Sequence, residues 1–184
     1  NMTKPTIFLD MDGVCCDFNK ASLQVFNRMD LYDSWSHNYS VSDSLGITDA
    51  DFWKEISKYQ ENFWVDMEEY PWFKDLWDRL NSIGDVYFCT APTLDPVCVK
   101  GKLQWIQNRL GFNFRKYIFI KDKYLLAKKD NFLVDDYTEQ FNNFNSHGGN
   151  GILFPQMWND SRDHLEDRVG HVINSIALNK NYIK

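Results

Sequence analysis

The chain has no apolar run long enough to cross a membrane, and no stretch of it reads as a secretory signal. It shows no internal repeat and no low-complexity linker. Its four cysteines, Cys15, Cys16, Cys89 and Cys98, lack the paired spacing of a zinc site. Positive charge is scarce: 20 Lys and Arg stand against 26 Asp and Glu, a net charge of −6. That balance argues against a broad footprint on nucleic acid, but it leaves room for a small anionic substrate in a local cationic pocket. A reduced, cytoplasmic protein with no membrane partner is the simplest reading of these absences. Asn1 before Met2 reads as the remnant of an expression tag.

A chain of 184 residues suits one domain, or one domain with a sizeable insertion. Aromatic residues make up 16%, with seven Trp and fourteen Phe, enough for core packing or for a pocket in which rings stack on a flat ligand. Thr6-Ile7-Phe8-Leu9-Asp10 is an apolar run ending in an acid and reads as a buried strand. Helical patterns follow over Phe18 to Arg28, from Thr48 to Tyr59 and from Pro71, which opens a helix ending at Gly84, with little clear period between residues 30 and 50. Beyond Gly84 the pattern becomes regular. Strands are expected at Val86–Thr90, Tyr117–Ile120, Asn131–Val134 and Gly151–Phe154, a helix over Val97–Leu110, and one amphipathic helix over Arg162–Leu178. Strands alternating with helices predict an α/β fold with a parallel sheet covered on both faces. The helical stretch after the first strand interrupts that alternation, and reads as an insertion over the sheet edge.

In open α/β sheets ligands bind beyond the carboxyl ends of the strands. Those ends carry Asp10, Thr90, Lys121 or Lys123, and Asp135 with Asp136. Asp10 and Asp12 are two apart and followed by Gly13, so a turning chain can aim both at one reacting group. One carboxylate can then attack phosphorus while the other protonates the leaving oxygen and later activates water. Adjacent acids at Asp135 and Asp136 repel, and a hard cation with oxygen ligands is the natural compensation. Thr90 can donate to a phosphate oxygen, and Lys121 or Lys123 can hold its developing charge. Trp35, Trp53 and Trp64 can line a base pocket. Cys15 and Cys16 read as small packing residues near the site, and His37, His147, His164 and His171 have no ligand-like spacing.

Taken in order, these residues resemble the haloacid dehalogenase superfamily. Leu9-Asp10-Met11-Asp12-Gly13-Val14 is similar to its first motif, Phe88-Cys89-Thr90-Ala91-Pro92 to the second, Lys123 to the third and Leu133-Val134-Asp135-Asp136 to the fourth. A closer likeness is to the 5′(3′)-deoxyribonucleotidases, carried by Asp17-Phe18, by Asn62-Phe63-Trp64 ahead of Pro71, and by Cys89-Thr90-Ala91-Pro92. The resemblance implies a Rossmann-like core over residues 2–17 and 81–184 with a helical cap over 18–80. It implies Mg2+-dependent cleavage of deoxyribonucleoside monophosphates through an aspartyl phosphate. Asp10 would be the nucleophile and Asp12 the acid/base, with Thr90 and Lys123 on the phosphoryl group. Magnesium would be held by the Asp10 side chain, the Asp12 backbone carbonyl and Asp135 or Asp136. Phe18 would contact the base, with Trp64 near it, and Ala91 stands where the family has a phosphate-contacting Ser. The alternatives are a phosphatase of the same superfamily for another small phosphate ester or a nucleic-acid 3′-phosphate end, and a non-catalytic binder of a phosphorylated ligand.

Overall fold

A computed structural model describes residues 4–35 and 38–179. Asn1 with Met2 and His37 lie outside the described residues. Five strands form one sheet: β1 Thr6–Leu9, β2 Asp85–Thr90, β3 Tyr117–Phe119, β4 Asn131–Asp135 and β5 Asn150–Leu153. Their order is β3-β2-β1-β4-β5, and every pairing is parallel. The first strand is thus central, and the order reverses on either side of it. Such a reversal is where an open sheet leaves a crevice at its carboxyl rim.

Successive side chains of a strand point to opposite faces, and the core divides accordingly. Ile7 and Leu9 of β1, Val86 and Phe88 of β2, and Phe132 and Val134 of β4 belong to one large apolar cluster. Into it pack Phe73, Leu76 and Leu80 of α5 (Phe73–Ile83), Trp105 and Ile106 of α6 (Pro96–Leu110), and Val169 and Val172 of α8 (Arg168–Ala177). Phe8, Cys89 and Leu133 face the other way, with Phe144 of α7 (Thr138–Ser146). Helices therefore cover both faces, as a parallel sheet requires to keep its apolar strands from water.

Between β1 and α5 the described residues form four α-helices: α1 Phe18–Val25, α2 Val41–Leu45, α3 Asp49–Ser57 and α4 Asn62–Val65. The first three starts have a local cause. Asp17 caps α1 by accepting from the Lys20 amide, Ser40 caps α2, and Thr48 caps α3 at the Asp51 amide. The entry and exit of this segment run side by side, since the Asp17 amide donates to Glu68 O at 2.8 Å and the Tyr70 amide to Cys15 O at 2.9 Å.

Two expected elements differ. The helix after Pro71 starts at Phe73, with Trp72 at its cap position. The single helix expected over Arg162–Leu178 is broken: Arg162–Asp167 is a 3-10 turn, and α8 begins only at Arg168. Asp167 is the cause, because its carboxylate accepts from the Gly170 amide at 3.0 Å and so starts a new helix.

Candidate active site

The register explains why the acids meet. Leu9 lies level with Phe88 and Val134, so the next residues, Asp10, Cys89 and Asp135, come to one height at the rim. The Asp10 amide donates to Val134 O at 3.0 Å, which extends the ladder by one residue before the chain turns away. Met11 O then accepts from the amides of Val14, Cys15 and Cys16, closing a tight loop. Gly13 in that loop has φ +81°, and a Cβ there would lie 2.3 Å from an Asp136 carboxylate oxygen. Only glycine permits both the conformation and the approach.

Asp10, Asp135 and Asp136 each offer a carboxylate oxygen, and these oxygens all lie within 4.8 Å of one another. All three residues are buried, and one cation enters the group. Lys123 Nζ donates to Asp10 Oδ1 at 2.8 Å and to Asp135 Oδ2 at 2.7 Å. Asp135 Oδ1 accepts from the Tyr137 amide, and Asp136 Oδ2 from Trp158 Nε1 at 2.9 Å. One lysine cannot neutralise three carboxylates. Burial, then the charge of Asp10, push Asp135 up to about 7 against the pull of Lys123. Burial and the two neighbouring acids push Asp136 well above the usual carboxylate range. A hard divalent cation with oxygen ligands fits this donor set, since it would offset the repulsion and needs neither His nor Cys.

A second buried lysine organises the other side of the site. Lys102 Nζ donates to Thr90 Oγ1 at 2.7 Å and to Ala91 O at 3.2 Å, and pairs with Asp12 Oδ2 at 2.9 Å. Burial pushes the Asp12 carboxyl up, and Lys102 opposes that shift. Sequence reasoning missed Lys102. The signal was its place on the buried stripe of α6 with Cys98, Trp105 and Ile106, where a lysine needs a partner.

Of the two candidate lysines, Lys123 is buried against Asp10 and Asp135, whereas Lys121 is exposed. Cys15 and Cys16 are fully buried, and burial together with the nearby carboxylates raises both thiols. His164 and His171 stack on each other, and His147 stacks on Tyr124.

Two cavities meet at this rim. One, of about 340 Å³, is lined by Asp10, Thr90, Lys123 and Asp135. The other, of about 390 Å³, is lined by Phe18, Phe52, Trp53 and Trp64. They share Asp12, Tyr39 and Ala91 as lining. Trp64 and Phe18 stack with centroids 5.9 Å apart, and Trp53 stacks on Trp64 at 6.1 Å. Trp35 is not in this set: it is buried beside a different cavity, with its indole N–H on Asn38 O. Among the described residues no helix is long and apolar enough to cross a membrane.

Comparison with known proteins accords with this geometry. The fold is similar to that of a haloacid dehalogenase-like family hydrolase from Streptococcus pneumoniae, with a TM-score of 0.62, 13% identity, and coverage of 94% of this chain and 98% of that one. It is equally similar to a conserved haloacid dehalogenase-like protein from Agrobacterium tumefaciens, with a TM-score of 0.62, 14% identity, and coverage of 95% and 98%. A haloacid dehalogenase-type hydrolase from Bacillus subtilis, solved bound to magnesium, gives a TM-score of 0.53 at 12% identity, covering 82% and 86%. At these identities the likeness speaks for the fold. In sequence, the human cytosolic-type 5′(3′)-deoxyribonucleotidase is 27% identical over an alignment of 143 residues that covers 71% of this chain and 69% of that protein. Residues 4–172 match the family model described as 5′ nucleotidase, deoxy (pyrimidine), cytosolic type C protein. The chain belongs to that family, has a haloacid dehalogenase-like fold, and is a nucleotidase, a phosphoric monoester hydrolase.

Proposed function

We propose that this nucleotidase releases phosphate from deoxyribonucleoside monophosphates by way of a phosphorylated Asp10. The observation that carries the reading is the junction of the two cavities. A carboxylate-and-lysine chamber suited to a phosphoryl group opens, at Asp12 and Ala91, into an aromatic chamber of nucleoside size. The core over residues 2–17 and 81–184 would supply the first chamber. The cap, assigned to residues 18–80, would supply the rings of the second. Its last helix, α5, packs on the sheet, so the ring-bearing part is the stretch from Phe18 to Val65.

In the first half-reaction an Asp10 carboxylate oxygen bonds to phosphorus as the ester P–O bond breaks. Asp12 gives its proton to the departing nucleoside oxygen. In the second, Asp12 takes a proton from water, whose oxygen bonds to phosphorus as the Asp10–phosphorus bond breaks. Inorganic phosphate leaves and Asp10 is restored. Thr90 and Lys123 bind phosphoryl oxygens, and Lys102 holds Asp12 and Thr90 in fixed relation. The carboxylates of Asp10, Asp135 and Asp136 and the backbone carbonyl of Asp12 would hold magnesium. When bound it supplies neutralising charge where substrate and carboxylates meet. Phe18 and Trp64 would stack on the base. Ala91 offers only its backbone to the phosphate, because it lacks a hydroxyl.

A phosphate-release screen with magnesium over nucleoside monophosphates and sugar phosphates tests the reading. Deoxyribonucleoside monophosphates such as dUMP and dTMP should lead it. A screen led by sugar phosphates would remove the nucleotide reading while leaving a phosphatase.

A further inference from the structure

The aromatic cavity has a polar element that stacking does not use. Asn19 follows Phe18 in the first turn of α1, is only 9% exposed, and lines the cavity. Among the described residues no hydrogen bond reaches its carboxamide. Of the hydroxyls on that wall, Ser42 donates to Asp49 and shares a hydrogen bond with Ser40, and Thr93 accepts from the Asp95 amide. A group that fills the cavity covers this carboxamide, and must pair with it or leave it unpaired at a cost.

Resting on the nucleotidase reading above, we infer that Asn19 reads the hydrogen-bonding edge of the nucleobase and is a specificity-determining residue. Phe18 and Trp64 offer faces, which every base can stack on, so they cannot tell bases apart. Asn19 offers an acceptor oxygen and a donor nitrogen side by side. A pyrimidine presents the complementary pair: uracil has its N3–H beside a carbonyl, and cytosine has its N3 beside an amino group. A carboxamide matches either by turning over, so the wild-type site takes both pyrimidines as deoxyribonucleoside monophosphates.

The test compares kcat/KM for dUMP, dCMP and deoxyribose 5-phosphate in the full chain with magnesium, for wild type, Asn19→Leu and Asn19→Asp. Asn19→Leu removes donor and acceptor together. The ratio of nucleotide to deoxyribose 5-phosphate kcat/KM should fall about tenfold or more, because only a substrate carrying the base uses the amide. Asn19→Asp keeps an acceptor and loses the donor. The carboxylate still accepts from the cytosine amino group or the uracil N3–H, but it opposes cytosine N3 and the uracil carbonyl alike, so kcat/KM for both nucleotides should fall about tenfold against deoxyribose 5-phosphate. Equal losses on all three substrates in both variants, or unchanged ratios in both, would overturn the role of Asn19. If Asn19→Leu fails to fold, the ratio of nucleotide to deoxyribose 5-phosphate kcat/KM of the near-isosteric Asn19→Asp decides alone. A wild-type enzyme that cleaves deoxyribose 5-phosphate as well as the nucleotides would instead refute the underlying nucleotide reading. That result is separate from anything the variants show.

Discussion

At the rim of the sheet each reactive group is tied to at least one other. Lys123 joins Asp10 to Asp135, Lys102 joins Asp12 to Thr90, and Trp158 holds Asp136. In the aromatic cavity a few steps away, the walls are rings resting on rings. Phe18, Trp53 and Trp64 contact one another, and Trp53 is 38% exposed. The first region is fixed by charge and by strand register. The second is held by ring contacts from short helices. Charge placed in a dry, preorganised site suits the chemical step, which is common to every phosphate ester. Broad apolar faces suit binding, where substrates differ.

The contrast can be broken first at the metal-binding carboxylates. An excess of chelator should abolish turnover, and added magnesium should restore it without any requirement for zinc, as the all-oxygen donor set demands. Undiminished turnover in chelator would remove the metal from the rim. A smaller but still large effect is expected at Lys102. Lys102→Met leaves Asp12 without its cation and Thr90 without its anchor, and kcat should fall on the order of a hundredfold for nucleotides and para-nitrophenyl phosphate alike. A loss confined to nucleotides would place Lys102 with the cavity instead of the rim.

Phe18→Ala probes the other side of the comparison. Losing one stacking face should cost nucleotide hydrolysis roughly 1–3 kcal/mol, about a tenfold to a hundredfold drop in kcat/KM, and much less on para-nitrophenyl phosphate. Equal losses on both substrates would make Phe18 a packing residue. The smallest effect lies outside both regions. Asp167→Ala removes the cap that starts α8, and should lower stability by about 1 kcal/mol in chemical denaturation while leaving kcat/KM as it was.

The same contrast decided what could be read from the sequence. Asp10, Asp135 and Asp136 were legible because each follows an apolar run, and an acid that ends a buried strand is conspicuous. Asp12 was legible by its spacing from Asp10 and by Gly13. Lys123 sits in a 3-10 turn with no periodicity to mark it, and the residues alone left it level with Lys121. Lys102 was overlooked in a helix that carries charged and polar residues on several faces, although its spacing from Cys98, Trp105 and Ile106 puts it on the inward stripe. The cavity was harder still. Its helices α2 and α4 have five and four residues, too few to display a period. Asn19 reads as an ordinary polar residue in the first turn of a helix. Its burial comes from contacts across the fold that local pattern does not contain. The break at Asp167 was missed for a related reason: the apolar spacing runs on through the cap, so periodicity suggested one helix where hydrogen bonding makes two.

The account turns on Asp10 as a covalent nucleophile. The direct measurement is a rapid acid quench of the enzyme during turnover of a deoxyribonucleoside monophosphate carrying radiolabelled phosphate, followed by peptide mapping. Label should appear on the peptide containing Asp10 and be released by hydroxylamine, as an acyl phosphate is. Asp10→Asn should show no label and a loss of turnover on the order of a thousandfold or more, because an amide cannot supply the anionic oxygen. Label on another residue, or an Asp10→Asn enzyme that keeps a tenth or so of wild-type activity, would contradict the mechanism.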